Sequence, residues 1–166
     1  ETAPIQYSQF GGEQETKRRA GTENLPQIVG LAEAMNLAVT NMDDNNVHLM
    51  NLKNQFLVTL QERAIPFELN GSMTNATGHV VNLYFPFIDV ETLLTLLDLA
   101  QVYVSAGSAC TAGSMTPSHV LTAMYNDEDR ANHSVRFSFN ELTTEKEIKT
   151  VAAEIHKIYH RFREVN

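Results

Sequence analysis

The hexapeptide Ser134-Val135-Arg136-Phe137-Ser138-Phe139, SVRFSF, alternates polar and apolar residues without exception. A period of two places Val135, Phe137 and Phe139 on one face of a strand and Ser134, Arg136 and Ser138 on the other. Downstream, Thr144 and Glu147 form a capping box for a terminal helix that carries Ile148, Val151, Ile155, Ile158 and Phe162 at helical spacing. Upstream, Thr116-Pro117 starts a helix ending near Tyr125. Val102 to Ser105 and His79 to Phe85 read as strands, separated by a helix over Val90 to Ala100 that Asp89 caps. The pattern is a mixed α/β alternation with no repeat and no low-complexity tract.

Nearer the N-terminus, Asn24-Leu25-Pro26-Gln27 carries the marks of a helix start: Asn as N-cap, Pro in the first turn and Gln closing a capping box. Leu25, Ile28, Val29, Ala32, Met35, Val39 and Met42 continue at helical spacing, and Leu49, Leu52, Phe56 and Leu60 resume it beyond the polar patch Asp43 to Asn46. A continuous helix from Leu25 to Ala64 would be roughly 60 Å long, about twice the diameter of a small domain. Such a helix needs a larger body to lie on. The polar patch is the expected place for a bend or break.

The 166 residues are 43% hydrophobic and 19% charged, the range of one globular domain with a real core. The formal net charge is -8, and the only basic run is Lys17-Arg18-Arg19, too short for a nucleic-acid footprint. No apolar run approaches the roughly 20 residues that span a bilayer, and no signal-peptide pattern opens the chain. A cytoplasmic protein is expected, without nucleic-acid or membrane partners. The first residue, Glu1, raises the expectation that the chain is part of a longer polypeptide.

Three segments carry candidate chemistry. The only cysteine, Cys110, lies in Ser105 to Ser114, SAGSACTAGS, among small residues that read as a loop rather than as apolar core. A free cysteine is often a small buried hydrophobe, but these neighbours favour a thiol within reach of solvent. Nucleophilicity at neutral pH needs a nearby base or cation. His119 and His133 are candidates for that base, although each reads equally as a surface or loop histidine. Arg136 is either a solvated surface arginine or a guanidinium fork that grips a carboxylate through two parallel hydrogen bonds. In Arg18 to Asn24, RRAGTEN, a glycine and the Thr22 hydroxyl immediately precede a helix N-terminus, where backbone N–H groups and the macrodipole favour an anion.

Taken in order, GGEQETKRRAGTENLPQIVGLAEA (11–34), SAGSACTAGSMTPSHVL (105–121) and SVRFSFNELTTEKEI (134–148) resemble the pyridoxal-phosphate-dependent cysteine desulfurases of the class-V aminotransferase family, the type that serves iron-sulfur cluster assembly. The chain departs from the family pattern at Phe10, where a third glycine is common, and at Phe139-Asn140, where leucine-glycine is more usual. The resemblance implies the C-terminal small domain of the aminotransferase-like fold: a short, mainly antiparallel sheet with helices on one side and a long N-terminal connecting helix. It implies three divisions, with residues 1–24 a cofactor-phosphate segment, 25–64 the connecting helix or helix pair, and 65–166 the small domain with the cysteine loop.

By the same resemblance Cys110 is the nucleophile that takes sulfur from L-cysteine as a persulfide, leaving L-alanine. Arg136 anchors the substrate carboxylate. Thr22 binds the phosphate of pyridoxal 5'-phosphate in the partner subunit's site, which implies a homodimer, and a sulfur-acceptor or scaffold protein is a further implied partner. The family holds its cofactor on a lysine, and none of Lys17, Lys53, Lys146, Lys149 and Lys157 has that context. The chain alone is therefore expected to be inactive, and no metal site is expected. Two alternatives stay open at this level: a stand-alone sulfur-carrier or interaction module that only accepts persulfide on Cys110, and a selenocysteine lyase-like relative.

Overall fold

The structure, a computed structural model, describes residues 6–74, 76–107 and 117–163. The chain divides into two compact units, Glu1–Met42 and Asp43–Asn166. In the first, a short left-handed turn assigned as α1 (Gln14–Lys17) precedes α2 (Leu25–Thr40). The helix starts where the sequence places it: the Asn24 side chain accepts from Gln27 N at 3.3 Å, and Pro26 sits where its missing N–H costs nothing. No residue of α2 is buried, although Leu25, Ile28, Val29, Leu31, Met35, Leu37 and Val39 are all on it.

The next helix, α3 (Met42–Glu62), shows that the expected break falls at Asn41 and not within Asp43 to Asn46. The polar patch opens α3 instead. Asp43 and Asp44 lie in its first turn, where carboxylates complement the helix dipole. At its far end Ala64 adopts a left-handed φ of 52° and Ile65 N reaches back to Leu60 O at 3.1 Å, a closure that also buries Ile65 beside Leu60.

The sheet of the second unit has β1 (Glu68–Leu69), β2 (Val80–Tyr84) and, after α4 (Val90–Leu99), α5 (His119–Tyr125) and α6 (Glu128–Asn132), β3 (Ser134–Ser138). All pairings are antiparallel, in the order β1-β2-β3, with Leu69 opposite Leu83 and Asn82 opposite Arg136. The helix α7 (Glu145–Arg163) closes the chain. Thr144 and Glu147 exchange the predicted capping bonds, Glu147 Oε2 accepting from Thr144 N at 2.7 Å and Thr144 Oγ1 from Glu147 N at 3.3 Å.

One apolar core holds these elements together. Val81, Leu83, Val135 and Phe137 of the sheet meet Leu52, Phe56 and Leu60 of α3, Leu93 and Leu97 of α4, and Ile148, Ala152 and Ile155 of α7. Phe56 packs on Phe137 with ring centroids 4.9 Å apart. The apolar face of the hexapeptide therefore looks at three helices, as its alternation requires.

Two further expectations need correction. Val102 to Ser105 is not a strand; only Ser105 pairs, with Arg136. The backbone there is spent on ending α4: Gln101 turns left-handed and Val102 N donates to Leu97 O at 2.8 Å. The helix expected from Thr116-Pro117 begins at His119, because Ser118 takes the N-cap role and accepts from Leu121 N. Thr116 lies outside the described residues.

The loop before β2 is tied to α3 by two close contacts. A Cβ on Gly78 would lie 2.7 Å from Met50 N, so only glycine lets the two backbones approach. Lys53, 3% exposed, donates from Nζ to Thr77 O and Val80 O, each at 3.2 Å. Burial lowers its pKa from the ordinary lysine value.

Candidate functional site

The polar face of β3 is the side of the sheet away from the core. Arg136 sits at its middle, with Asn82 directly opposite on β2 and Ser105 on the other side. Direct partners in an antiparallel ladder project to the same face, so Asn82 and Arg136 stand side by side. Arg136 N donates to Ser105 O at 2.7 Å and Ser105 N to Arg136 O at 3.2 Å. Both backbone groups of Arg136 are thus taken up by Ser105, on the side away from Asn82. Its guanidinium is exposed and, among the described residues, has no hydrogen-bond or ion-pair partner.

That guanidinium opens onto a cleft of about 300 Å³ lined also by Asn70, Asn82, Gly107, Ser118, His119, Leu121 and Met124. Asn70 follows β1 and is fastened by Asn70 N donating to Asn82 O at 2.9 Å. Leu121 and Met124 of α5 form an apolar wall. A cleft with an unpaired arginine, carboxamides and an apolar side suits a small molecule bearing a carboxylate and a short side chain.

Behind the cleft, Arg130 closes a polar cluster. Its Nε donates to Asn70 Oδ1 at 2.6 Å, its Nη1 to Glu68 Oε2 at 2.7 Å, and its guanidinium carbon lies 4.2 Å from the Tyr125 ring centroid. Ser134 belongs to the polar face but is 1% exposed: its hydroxyl donates to Arg130 O at 2.6 Å and accepts from Asn70 Nδ2 at 2.8 Å. Burial, followed by the carboxylates of Asp129, Asp127 and Glu68, raises the Tyr84 hydroxyl above its ordinary pKa and keeps that ring neutral beside Arg130.

The residues singled out from the sequence fall as follows. Arg136 is in the cleft. His119 is on its rim, whereas His133 is not among the lining residues; His133 Nδ1 lies 2.8 Å from Asp129 O. Cys110 lies outside the described residues; Gly107, the last described residue before it, and Ser118, one residue past Pro117, both line the cleft. Thr22 is exposed in the first unit, and Arg19 Nη1 donates to the carbonyls of Gly21 and Thr22 at 3.2 and 3.3 Å. Asn70, Asn82 and Arg130 were not anticipated. Asn82 had a visible signal, a polar residue in mid-strand between Val81 and Leu83; Arg130 had none.

The family model for class-V aminotransferases matches residues 1–151. The chain belongs to the class-V aminotransferase family. A Bacillus subtilis (strain 168) protein whose name includes "cysteine desulfurase IscS 1" is 50% identical over 153 residues, covering 92% of this chain and 40% of its own length. A cysteine desulfurase IscS of Dictyoglomus turgidum is 35% identical over 156 residues, covering 94% of this chain and 40% of its own length. Among solved structures, a NifS-like protein superposes with a TM-score of 0.77 at 29% identity, over 94% of this chain and 39% of that one. DndA from Streptomyces lividans gives 0.56 at 40% identity, over 82% and 37%. The chain therefore spans about 40% of the length of these relatives.

Membership in the class-V aminotransferases carries dependence on pyridoxal phosphate. Among the described residues, donors suited to the cofactor's phosphate lie just ahead of α2, where Thr22 is exposed and the Arg19 guanidinium bonds the backbone carbonyls of Gly21 and Thr22. The lysines stand elsewhere: Lys53 is buried on two carbonyls, Lys17, Lys149 and Lys157 pair with Glu13, Glu145 and Glu154, and Lys146 is exposed on α7. None lines the Arg136 cleft. Among the described residues, no helix is long and apolar enough to cross a membrane.

Proposed function

We propose that this chain is the C-terminal portion of a pyridoxal-phosphate-dependent cysteine desulfurase, which converts L-cysteine to L-alanine and carries the sulfur as a persulfide on Cys110. The observation that carries this reading is Arg136: a backbone fixed at mid-strand, with a guanidinium unpaired among the described residues, on a cleft of about 300 Å³ that has room for a small amino acid. Two parallel N–H donors of the guanidinium take the substrate carboxylate and orient the rest of the molecule. The names of the relatives point to the same substrate class.

Pyridoxal phosphate, when bound, supplies the electron sink that makes the bond from the substrate's β-carbon to sulfur labile. Thr22, with Arg19 beside it, would hold the phosphate of the partner subunit's cofactor. The Cys110 thiolate forms a bond to the substrate sulfur while the carbon-sulfur bond breaks. The electron pair of the broken bond stays with the carbon fragment, which takes up a proton and leaves as L-alanine. Cysteine plus thiol thus gives alanine plus persulfide, with atoms and electrons conserved. The reading extends to a cytoplasmic homodimer in which Thr22 serves the partner subunit, and to a protein that accepts the persulfide sulfur.

The test is Cys110→Ser in the whole protein. Cofactor binding should be retained and alanine formation from L-cysteine abolished, with no persulfide recovered by mass spectrometry. Unchanged sulfur release would remove Cys110 from the reaction.

A further inference from the structure

We propose that Asn82 is a second carboxylate donor beside Arg136, and that Arg130, outside the cleft lining, sets its orientation through Asn70. The proposal rests on the carboxylate reading of the cleft and names two residues beyond it. It follows from donors and acceptors alone. An arginine side chain can only donate, so the Asn70 atom 2.6 Å from Arg130 Nε is the carboxamide oxygen. A second constraint gives the same answer. The single proton of the Ser134 hydroxyl goes to Arg130 O, which can only accept, so Ser134 must accept from Asn70, and the atom it faces is Nδ2.

With Asn70 fixed, Asn82 is fixed too. Asn70 Nδ2 donates to Asn82 at 2.7 Å, which commits the Asn82 oxygen to Asn70. The other end of that planar group is the Asn82 amino nitrogen, with two protons and, among the described residues, no acceptor. Asn82 lines the cleft directly opposite Arg136. A carboxylate has about four lone-pair sites; the guanidinium fork fills two, and an N–H from Asn82 fills a third. Reversed, the same side chain would turn an oxygen toward the bound anion. Arg130 is held against that reversal by Glu68 at 2.7 Å and by the Tyr125 ring. Arg130 is thus a positioning residue, acting at a carboxylate it does not touch.

The test uses the whole holoenzyme and calorimetric binding of L-alanine and of L-alaninamide, which differ only in carboxylate against neutral carboxamide. Asn82→Asp keeps the shape and replaces the donor with an anion. It should weaken L-alanine on the order of tenfold or more, the scale of a hydrogen bond to a charged group, while alaninamide changes less than twofold. In turnover the loss should fall on KM for L-cysteine rather than on kcat. Arg130→Met removes one of the two constraints on Asn70 and leaves that of Ser134, so it should reduce the alanine preference by less than Asn82→Asp does, and Arg130→Lys, which restores a donor, should recover part of it. An unchanged preference in Asn82→Asp would overturn the proposal, as would equal loss of both ligands. Binding is read without turnover, so the two readings fail separately. A wild-type holoenzyme inert toward cysteine but still discriminating through Asn82 would sink only the desulfurase reading; active enzyme with undiminished discrimination in Asn82→Asp would sink only this one.

Discussion

Ser105 and Arg136 exchange both of their backbone hydrogen bonds, at 2.7 and 3.2 Å, although no strand surrounds Ser105. The bridge fixes the chain two residues before Gly107, at the edge of the Arg136 cleft. Ser105→Pro removes the donor and leaves Arg136 O unsatisfied, a cost of about 1 to 3 kcal/mol. Thermal unfolding should drop by roughly 2 to 4 °C per kcal/mol for a chain of this size, and turnover of L-cysteine in the whole protein should fall further than that loss of stability explains. Parental turnover would mean that the bridge is structural only.

Replacing Arg136 by lysine keeps the charge and removes the planar fork. If the guanidinium holds the substrate carboxylate through two bonds, losing one should cost roughly 1.5 to 3 kcal/mol, or about 10-fold to 150-fold in kcat/KM for L-cysteine. The melting temperature should hold, because Val135 and Phe137 on the opposite face supply the packing. Parental efficiency in the variant would return Arg136 to the solvated surface.

If Thr22 binds the cofactor phosphate as proposed, Thr22→Ala should loosen cofactor retention by one charge-assisted hydrogen bond, about 1.5 to 3 kcal/mol, when measured as a dissociation constant in the whole holoenzyme. Its exposed position predicts no change in unfolding. An unaltered cofactor affinity would leave Thr22 as a turn residue ahead of α2.

Lys53 gives a pH signature. Its folded pKa is lowered by burial, so between that lowered value and the ordinary lysine value of about 10.4 the unfolded chain binds the extra proton. Stability from this group therefore rises as pH rises through that window. The wild-type protein should gain melting temperature relative to Lys53→Met on going from neutral toward pH 10, in parallel scans. A difference that is flat with pH would show that Lys53 has the same pKa folded and unfolded.

The local grammar of this chain was legible residue by residue. Asn24, Asp89 and the Thr144–Glu147 pair cap the helices they were expected to cap, and the alternation in SVRFSF separates a core face from a polar face. These features depend on neighbours within a few positions, and side-chain periodicity encodes them directly. The place of Arg136 on the polar face was reachable for the same reason. The strand fixed its face, and its type supplied the fork.

What surrounds Arg136 was decided by tertiary structure alone. Asn70 follows β1 and Asn82 lies in β2, Arg130 comes from α6, and Ser118 and His119 from the start of α5, segments far apart in sequence that meet only because three strands pair in one register. The same contest explains the failures of local reading. Val102 to Val104 have strand-like side chains, but the end of α4 claims Val102 N first. Ser134, polar by pattern, is buried because Asn70 and the Arg130 carbonyl satisfy its hydroxyl. Sequence by itself determined which face each strand and helix presents and where the helices are capped. Which long-range partner satisfies each backbone or side-chain group was settled only when the chain closed on itself, since a donor's nearest acceptor in space leaves no trace at a fixed spacing in the sequence.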